Sequence, residues 1–259
     1  MSSKTTSGRP FVLGEATWES VREAAFEVAV LPWGATEAHN RHLPYATDTI
    51  QCEAVAIAAV ARAWATGARV VVLPSIPFGV QTGQLAIPLC LNMNPSTQAA
   101  VLGDIAESVA RAGVRKLVIL NGHGGNDFRQ IIRELQPSAG LLLCQVNWYA
   151  SVDPRPFFSV PGDHAGELET SVMMHLAPHL VSPLSTAWPG IARPFRVRGL
   201  REGWAWTPRH WVDVTDDTGV GDPAAATPDK GRRYFDAVVE QMGAFLVELA
   251  AADPDAMYE

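Results

Sequence analysis

The chain has 259 residues, with 20 Lys+Arg against 27 Asp+Glu and a formal net charge of −7. That balance argues against a binder of nucleic acid or anionic membrane, since both need a basic face. Hydrophobic residues make up 47%, enough for a large core, while charged residues are only 18% against a typical share of about 25%, which implies surface covered in an oligomer.

Cys52, Cys90 and Cys144 lack CxxC spacing and each sits in an apolar run. They read as buried free thiols, and three thiols make no complete disulfide set, so a reducing compartment is expected. The stretch Met1–Gly8 is polar, with no apolar segment of the kind that directs secretion. No uncharged run approaches the roughly 18 apolar residues of a membrane span. The expected location is cytoplasmic.

In chain order, Phe26 to Gly34 reads as a strand stopped by Pro32 and Gly34. Asp48 to Thr66 reads as a helix with Ala54, Ile57, Ala58, Ala61 and Ala65 on one face and Gly67 as its stop. Arg69 to Pro74 is a β-branched run suited to a strand buried on both faces. Asn94-Pro95 opens a helix that runs to Arg111 and stops at Gly113. Lys116–Leu120 is a second buried strand, Phe128–Leu135 a helix, Leu141–Val146 a strand and Glu167–Leu176 a helix. From Val181 to Asp222 the pattern breaks into a stretch rich in Pro, Gly, Arg and Trp, either a functional excursion or an oligomer contact. Ala224–Ala251 is a final helical region packed outside the sheet. Alternating strands and helices imply a single α/β domain over 1–259, a mainly parallel sheet with helices on both faces, and a site beyond the carboxyl ends of the strands.

Polar clusters fall where that rule puts them. The first, Gly34 to Asp48, holds Glu37, His39 and Asp48, a mix of hard oxygen and imidazole that suits Zn, Mn or Fe. Alone, it could equally be a solvated loop whose His caps a helix. The second, Asn121-Gly-His123-Gly-Gly-Asn126, lacks both GxGxxG and the lysine of a P-loop. A His in mid-turn fits a metal ligand better than a phosphate cradle. The third, Asp163 to Ser171, holds His164, Glu167 and Glu169 at a helix start, where carboxylates are also favoured by the dipole alone. No GxSxG or HExxH pattern supports another scheme.

Glu37-x-His39 with His42-Leu-Pro-x-x-x-Asp48, then Asn121-Gly-His123-Gly-Gly-Asn126, then His164-Ala-Gly-Glu167-x-Glu-Thr-Ser171, and finally Gly219-Val-Gly-Asp222-Pro with Lys230-Gly231, together resemble the creatininase (creatinine amidohydrolase) family. The resemblance runs from about Leu31 to Gly231. It implies a three-layer αβα sandwich, usually hexameric, and a dinuclear metal amidohydrolase. It also implies that Glu37 and His123 hold one ion, His39 the other, and that Asp48 bridges them. Gly125 stands where creatininase proper has its fifth ligand, so the resemblance assigns that ligand to Glu167. The segment Pro77–Cys90, with Gln84, departs from the family pattern beside the substrate, which makes creatinine a poor or absent substrate.

The function expected is metal-dependent hydrolysis of a non-peptide C–N bond, a cyclic amide or formamide-like group, by a hydroxide bridging two divalent ions. Family alternatives are deformylation and the trimming of a small peptide. A non-catalytic metal- or nucleotide-binding α/β module is the competing class. His164 is the expected proton shuttle, with an outer-shell partner of Glu167 as the alternative. Gln84, Trp204 and Trp206 are the expected substrate contacts, although tryptophans in such a stretch more often serve packing; Arg198, Arg201 and Arg209 could meet a substrate carboxylate. A small-molecule substrate and copies of the same chain are the expected partners.

Overall fold

The computed structural model describes residues 8–160 and 162–259. The polar N-terminal stretch lies, over residues 1–7, outside the described residues. In chain order the elements are α1 (Trp18–Glu23), β1 (Val28–Trp33), α2 (Thr47–Ala65), β2 (Val70–Val72), α3 (Pro95–Arg111) and β3 (Lys116–Asn121). Then come α4 (Arg129–Leu135), β4 (Leu142–Asn147), α5 (Glu167–Leu176), α6 (Arg198–Arg201), α7 (Trp211–Val214) and α8 (Pro228–Ala251).

The four strands form one parallel sheet in the order β2-β1-β3-β4. Alternate side chains leave opposite faces of a strand, so each face builds its own core. Val28 and Val30 of β1 join Val70, Val72, Val118 and Leu120 beneath α2, α5 and α8. Ala29, Leu31 and Trp33 join Val71, Leu117, Ile119 and Leu143 beneath α3 and α4. The result is an αβα sandwich, and each fully buried Val or Leu contributes about 1.5–3 kcal/mol. No helix among the described residues is long and apolar enough to cross a membrane.

The buried stripe of α2 differs from the expected one. Cys52, Val55, Ala56, Ala59, Val60 and Ala63 are buried, whereas Ala54, Ile57, Ala58, Ala61 and Ala65 are not. The helix is apolar almost all round, so periodicity could not choose a face. The larger branched valines pack onto the sheet.

Between Val181 and Asp222 the chain makes only short turns, at Leu184–Thr186, Arg198–Arg201 and Trp211–Val214. Cys52 and Cys90 are buried free thiols and Cys144 is partly buried.

The chain runs outward from β1 to β2, then returns to the other side of β1 as β3. The strand order therefore switches between β1 and β3, and a crevice opens at their carboxyl ends. The last paired residues there are Trp33 and Asn121.

Helix α5 is held in place by close contact with α8. A Cβ on Gly231 would lie 1.9 Å from the Ser171 carbonyl oxygen, so only glycine allows the approach. In an isolated helix, Gly231→Ala would stabilise by about 1 kcal/mol. Here the clash prevails, and we expect overpacking to cost about 1–3 kcal/mol. Urea denaturation should show a lower midpoint; an unchanged or raised midpoint would show that α5 and α8 can part at no cost.

Candidate metal centre

The crevice is filled by side chains from three loops. Glu37 and His39 come from the loop after β1, Asp48 from the first turn of α2, His123 from the turn after β3, His164 from the segment just before α5 and Glu169 from the first turn of α5. Glycines let these loops converge. A Cβ on Gly34 would lie 2.6 Å from Thr49, and one on Gly122 would lie 2.8 Å from the Asp48 carbonyl oxygen. Gly79 leaves the same kind of room for the His123 ring, where a Cβ would lie 2.7 Å from Cδ2.

The turn after β3 is fixed by amides. Asn121 Oδ1 accepts from the His123 backbone N–H (3.1 Å) and from Asn126 Nδ2 (3.0 Å). Asn126 Oδ1 in turn accepts from the Val80 N–H (3.0 Å) and Gln98 Nε2 (2.8 Å), tying the turn to the segment that faces it.

Each of three imidazoles spends one N–H on a backbone carbonyl. His123 Nε2 donates to Val80 O (3.1 Å), His39 Nδ1 to Glu37 O (3.1 Å) and His164 Nε2 to Ala38 O (2.8 Å). A carbonyl can only accept, so the second nitrogen of each neutral ring presents its lone pair to the crevice. His123 Nδ1 then faces Glu37 Oε1 at 2.8 Å and Asp48 Oδ2 at 3.0 Å. His39 Nε2 faces Asp48 Oδ1 at 3.0 Å and Glu169 Oε2 at 4.0 Å. His164 Nδ1 faces Glu37 Oε1 at 3.7 Å. Lone pairs against carboxylates repel, so the arrangement calls for a cation or a proton at each meeting point.

The titration behaviour carries the same message. Burial disfavours charge on His39, yet the carboxylates of Asp48, Glu169 and Glu37 prevail and push the imidazole up to about 10. His123 is raised well above its usual value, against burial, by Glu37 and Asp48. Burial would raise Asp48, but His39 and His123 hold it far below the ordinary carboxylate range. Glu169 is raised by burial, with Asp48 acting in the same direction. Protons on the rings stand in for cations. Asp48 Oδ2, buried, has no aligned hydrogen-bond donor.

Three groups of ligand atoms converge within 4.8 Å: Glu37, Asp48 and His123; His39, Asp48 and Glu169; and Glu37, His39 and His164. Three carboxylates and three imidazoles form a donor set suited to Zn, Mn or Fe, and each ring has the carbonyl partner typical of a metal-bound His. The residues present fit divalent ions, and Asp48 offers one oxygen to each of two groups.

Glu37, His39, Asp48, His123 and His164 are thus brought together, whereas Glu167 is not. Its buried carboxylate accepts from the backbone N–H groups of Ser159 (2.8 Å) and Val160 (2.7 Å) and pairs with Lys230 of α8. Lys230, Ser159 and Val160 hold Glu167 below its ordinary pKa against a burial effect in the other direction. Glu169, two residues on, turns its carboxylate toward His39 and Asp48 instead. At about 100° per residue, carboxylates two apart on a helix point in nearly opposite directions, so only one can face the crevice. The Lys230-Gly231 pair was the available signal, since a lysine beside a glycine that lets two helices close can reach a carboxylate on the facing helix. Gly125 could carry no ligand here without rearrangement, because a Cβ there would lie 2.3 Å from Val80 O and 2.4 Å from His123 Nε2.

Gln84, buried, donates its amide to Glu37 Oε2, while its Oε1 accepts from the Cys90 thiol (3.2 Å). It lines the crevice but engages a carboxylate of the cluster. Above the cluster is a cavity of about 250 Å³, walled also by Gln81, Thr82, Asp163, Trp206, Arg209 and Trp211. Trp206 is at the mouth and 85% exposed. Trp204 is not in the wall; its ring packs on Gly199 instead. Trp211 is the aromatic that reaches inward, meeting His164 edge-on at 4.8 Å between ring centroids.

The sequence matches the family described as creatinine amidohydrolase over residues 14–246. Mycofactocin precursor peptide peptidase of Mycobacterium tuberculosis is 32% identical over 241 residues, covering 88% of this chain and 87% of that protein. Creatinine amidohydrolase of Pseudomonas putida is 30% identical over 195 residues, 65% of this chain and 73% of that protein. A crystal structure of a Bacteroides fragilis protein, provisionally named creatinine amidohydrolase, has a TM-score of 0.90 and 42% identity over 96% of this chain and 99% of that one. With the profile matched across most of its length, this chain belongs to the creatininase family.

Proposed function

We propose that the protein is a metal-dependent hydrolase of an amide-type, non-peptide C–N bond in a small substrate. The carrying observation is the set of three imidazoles, each anchored through one nitrogen to a backbone carbonyl and turning the other onto buried carboxylates. In this reading Glu37, Asp48 and His123 hold one divalent ion, and His39, Asp48 and Glu169 the other. Zn, Mn or Fe bound there would supply a hydroxide near neutral pH and polarise the substrate carbonyl.

The chain's own residues do the rest. Gln84 fixes the rotamer of Glu37 through Oε2 and leaves Oε1 for the ion. His164 is the proton carrier. Its Nε2–H is committed to Ala38 O, so Nδ1 takes a proton and delivers it to the leaving nitrogen, which departs poorly unless protonated. The Ala38 carbonyl stabilises the imidazolium while it lasts. Trp211 covers one side of His164 and keeps bulk water from that proton. The cavity of about 250 Å³ favours a compact substrate.

A second reading, hydrolysis at a peptide bond, is supported by the 32% identity to a mycofactocin precursor peptide peptidase. In both readings the chain is one domain, cytoplasmic, and assembled as a homo-oligomer. Exposed Leu85, Leu89, Ile191 and Trp206 supply apolar surface for that assembly.

Metal analysis separates a hydrolase from an unrelated binding module. We expect about two ions per chain, as a two-metal site requires. Asp48→Asn should lower occupancy at both positions and Glu169→Gln mainly at one, while Glu167→Gln keeps both ions and loses stability instead. Two tightly held ions in Asp48→Asn would remove the bridging assignment, and loss of metal in Glu167→Gln alone would restore that residue as a ligand.

For His164→Asn the expectation is a fall in kcat of roughly 10²–10⁴-fold with both ions retained. Activity recovered by added metal would instead make His164 a support for the ligands.

A screen of lactams, formamides, cyclic ureides and short peptides tests the substrate class. Small amides should turn over and creatinine should not. Creatinine hydrolysis at ordinary enzymatic rates, about 1–10³ per second, would contradict this reading, and hydrolysis of peptides alone would select the second.

A further inference from the structure

Among the described residues, the cavity above the cluster is walled by the carboxylates of Glu37, Asp48, Glu169 and Asp163, and by a single Lys or Arg side chain, Arg209. We propose that Arg209 determines specificity by binding a free carboxylate carried by the substrate, at the end of the cavity away from the bond that is cut. The inference rests on the hydrolase reading for the fate of the substrate, though not for its binding.

Several features build this position. The Arg209 guanidinium stacks on Trp211, with Cζ 4.6 Å from the ring centroid. That ring in turn meets His164. The cation is thus two ring contacts from the proposed proton carrier. The backbone beneath is equally constrained, because a Cβ on Gly83 would lie 1.9 Å from Arg209 O. The turn Thr82–Gln84 and the segment leading to α7 are therefore pressed together across the cavity wall. A stacked guanidinium is a planar, preorganised fork that matches a carboxylate bidentately.

Arg209 already has one partner. Its Nη1 donates to Asp163 Oδ2 at 2.9 Å, which could make the residue purely structural. That bond uses one of five N–H donors, and no other side-chain hydrogen bond of Arg209 is made among the described residues. Asp163 is itself half exposed and at the cavity wall. An exposed pair of this kind is worth little and is readily exchanged. Asp163 thus competes with the incoming carboxylate for the fork that Trp211 orients, so its removal should tighten the binding of acids. A structural pair would show the opposite.

The test is calorimetric titration of the metal-loaded protein with two matched pairs. These are N-formyl-L-alanine against its amide, and trialanine against trialanine amide. The acid should bind about 10- to 100-fold more tightly than its amide in at least one pair, as expected for a hydrogen bond to a charged group. A preference in the first pair identifies small acids as the source of the carboxylate, and one confined to the second pair identifies chain ends. Arg209→Met should bring the acid to the level of its amide with metal content unchanged, Arg209→Lys should recover part of the preference, and Asp163→Asn should strengthen it. The proposal fails if neither pair shows a preference. It also fails if the preference survives in Arg209→Met, since the ions and not the guanidinium would then hold the carboxylate. Release of amine is followed separately; binding with no turnover of any compound would overturn the hydrolase reading and leave the carboxylate site standing.

Discussion

Two buried carboxylates, Glu37 and Asp48, a third that is largely buried, Glu169, and three imidazole lone pairs meet in one crevice, and this electrostatic constraint shapes the rest of the molecule. Two like charges 4 Å apart interact by about 4 kcal/mol at an effective dielectric constant of 20. Glu37, Asp48 and Glu169 could not remain ionised together without positive charge between them. The same carboxylates raise the pKa of His39 and His123 against the effect of burial, so the site favours positive charge at both rings. The carbonyl anchors prevent the rings from swinging away to relieve the repulsion. The scaffold therefore keeps an unfavourable charge arrangement in place, which is what a preorganised cation site requires.

The fold makes that possible through its strand order. Because β2 and β3 lie on opposite sides of β1, the loops after β1 and β3 diverge from a shared point and leave a crevice between them. Helix α2 begins at its rim, so Asp48 enters with two oxygens turned to different neighbours. Helix α5 arrives from the other direction with its inner face selected by α8. The buried Glu167 carboxylate pairs with the partly exposed Lys230 between the two helices, and Gly231 lets them close. Such a pair contributes little net stability, yet breaking it leaves a charge unpaired in the interior. It fixes the rotation of α5, and with it the placing of Glu169 toward the crevice.

Much of this was legible in the sequence. The β-branched run Arg69–Pro74 and the apolar run Lys116–Leu120 read directly as buried strands, observed at Val70–Val72 and Lys116–Asn121, and polar clusters followed the strands as the sheet rule demands. His39 and Asp48 lie in one polar cluster between β1 and α2 and His123 in the turn after β3, and the family resemblance grouped the three as ligands. Glu169 was harder. Its choice over Glu167 depends on α8, more than fifty residues away, and no local period reports that. The stripe of α2 was missed for a related reason, since an alanine-rich helix has too little contrast for periodicity to pick a face. Trp211 lay in a stretch without period, and only the folded chain shows that it reaches inward while Trp204 does not.

Inner cluster and outer wall are thus built by different kinds of sequence. The cluster comes from strand ends and helix starts, where the backbone is fixed by the sheet and each side chain has one direction to take. The wall comes from the Thr82–Gln84 turn and from the segment of Trp206 to Trp211, where backbone direction is set by contacts such as Gly83 against Arg209. Fold and chemistry belong to the first part, and substrate choice belongs to the second. Relatives that act on a precursor peptide and on creatinine, at 32% and 30% identity, are compatible with one cluster beneath differing walls. On the proposed reading the cluster supplies the hydrolytic chemistry, and the shape and charge of the cavity mouth select the substrate. There the guanidinium of Arg209, stacked on Trp211, is the one Lys or Arg side chain among the described wall residues.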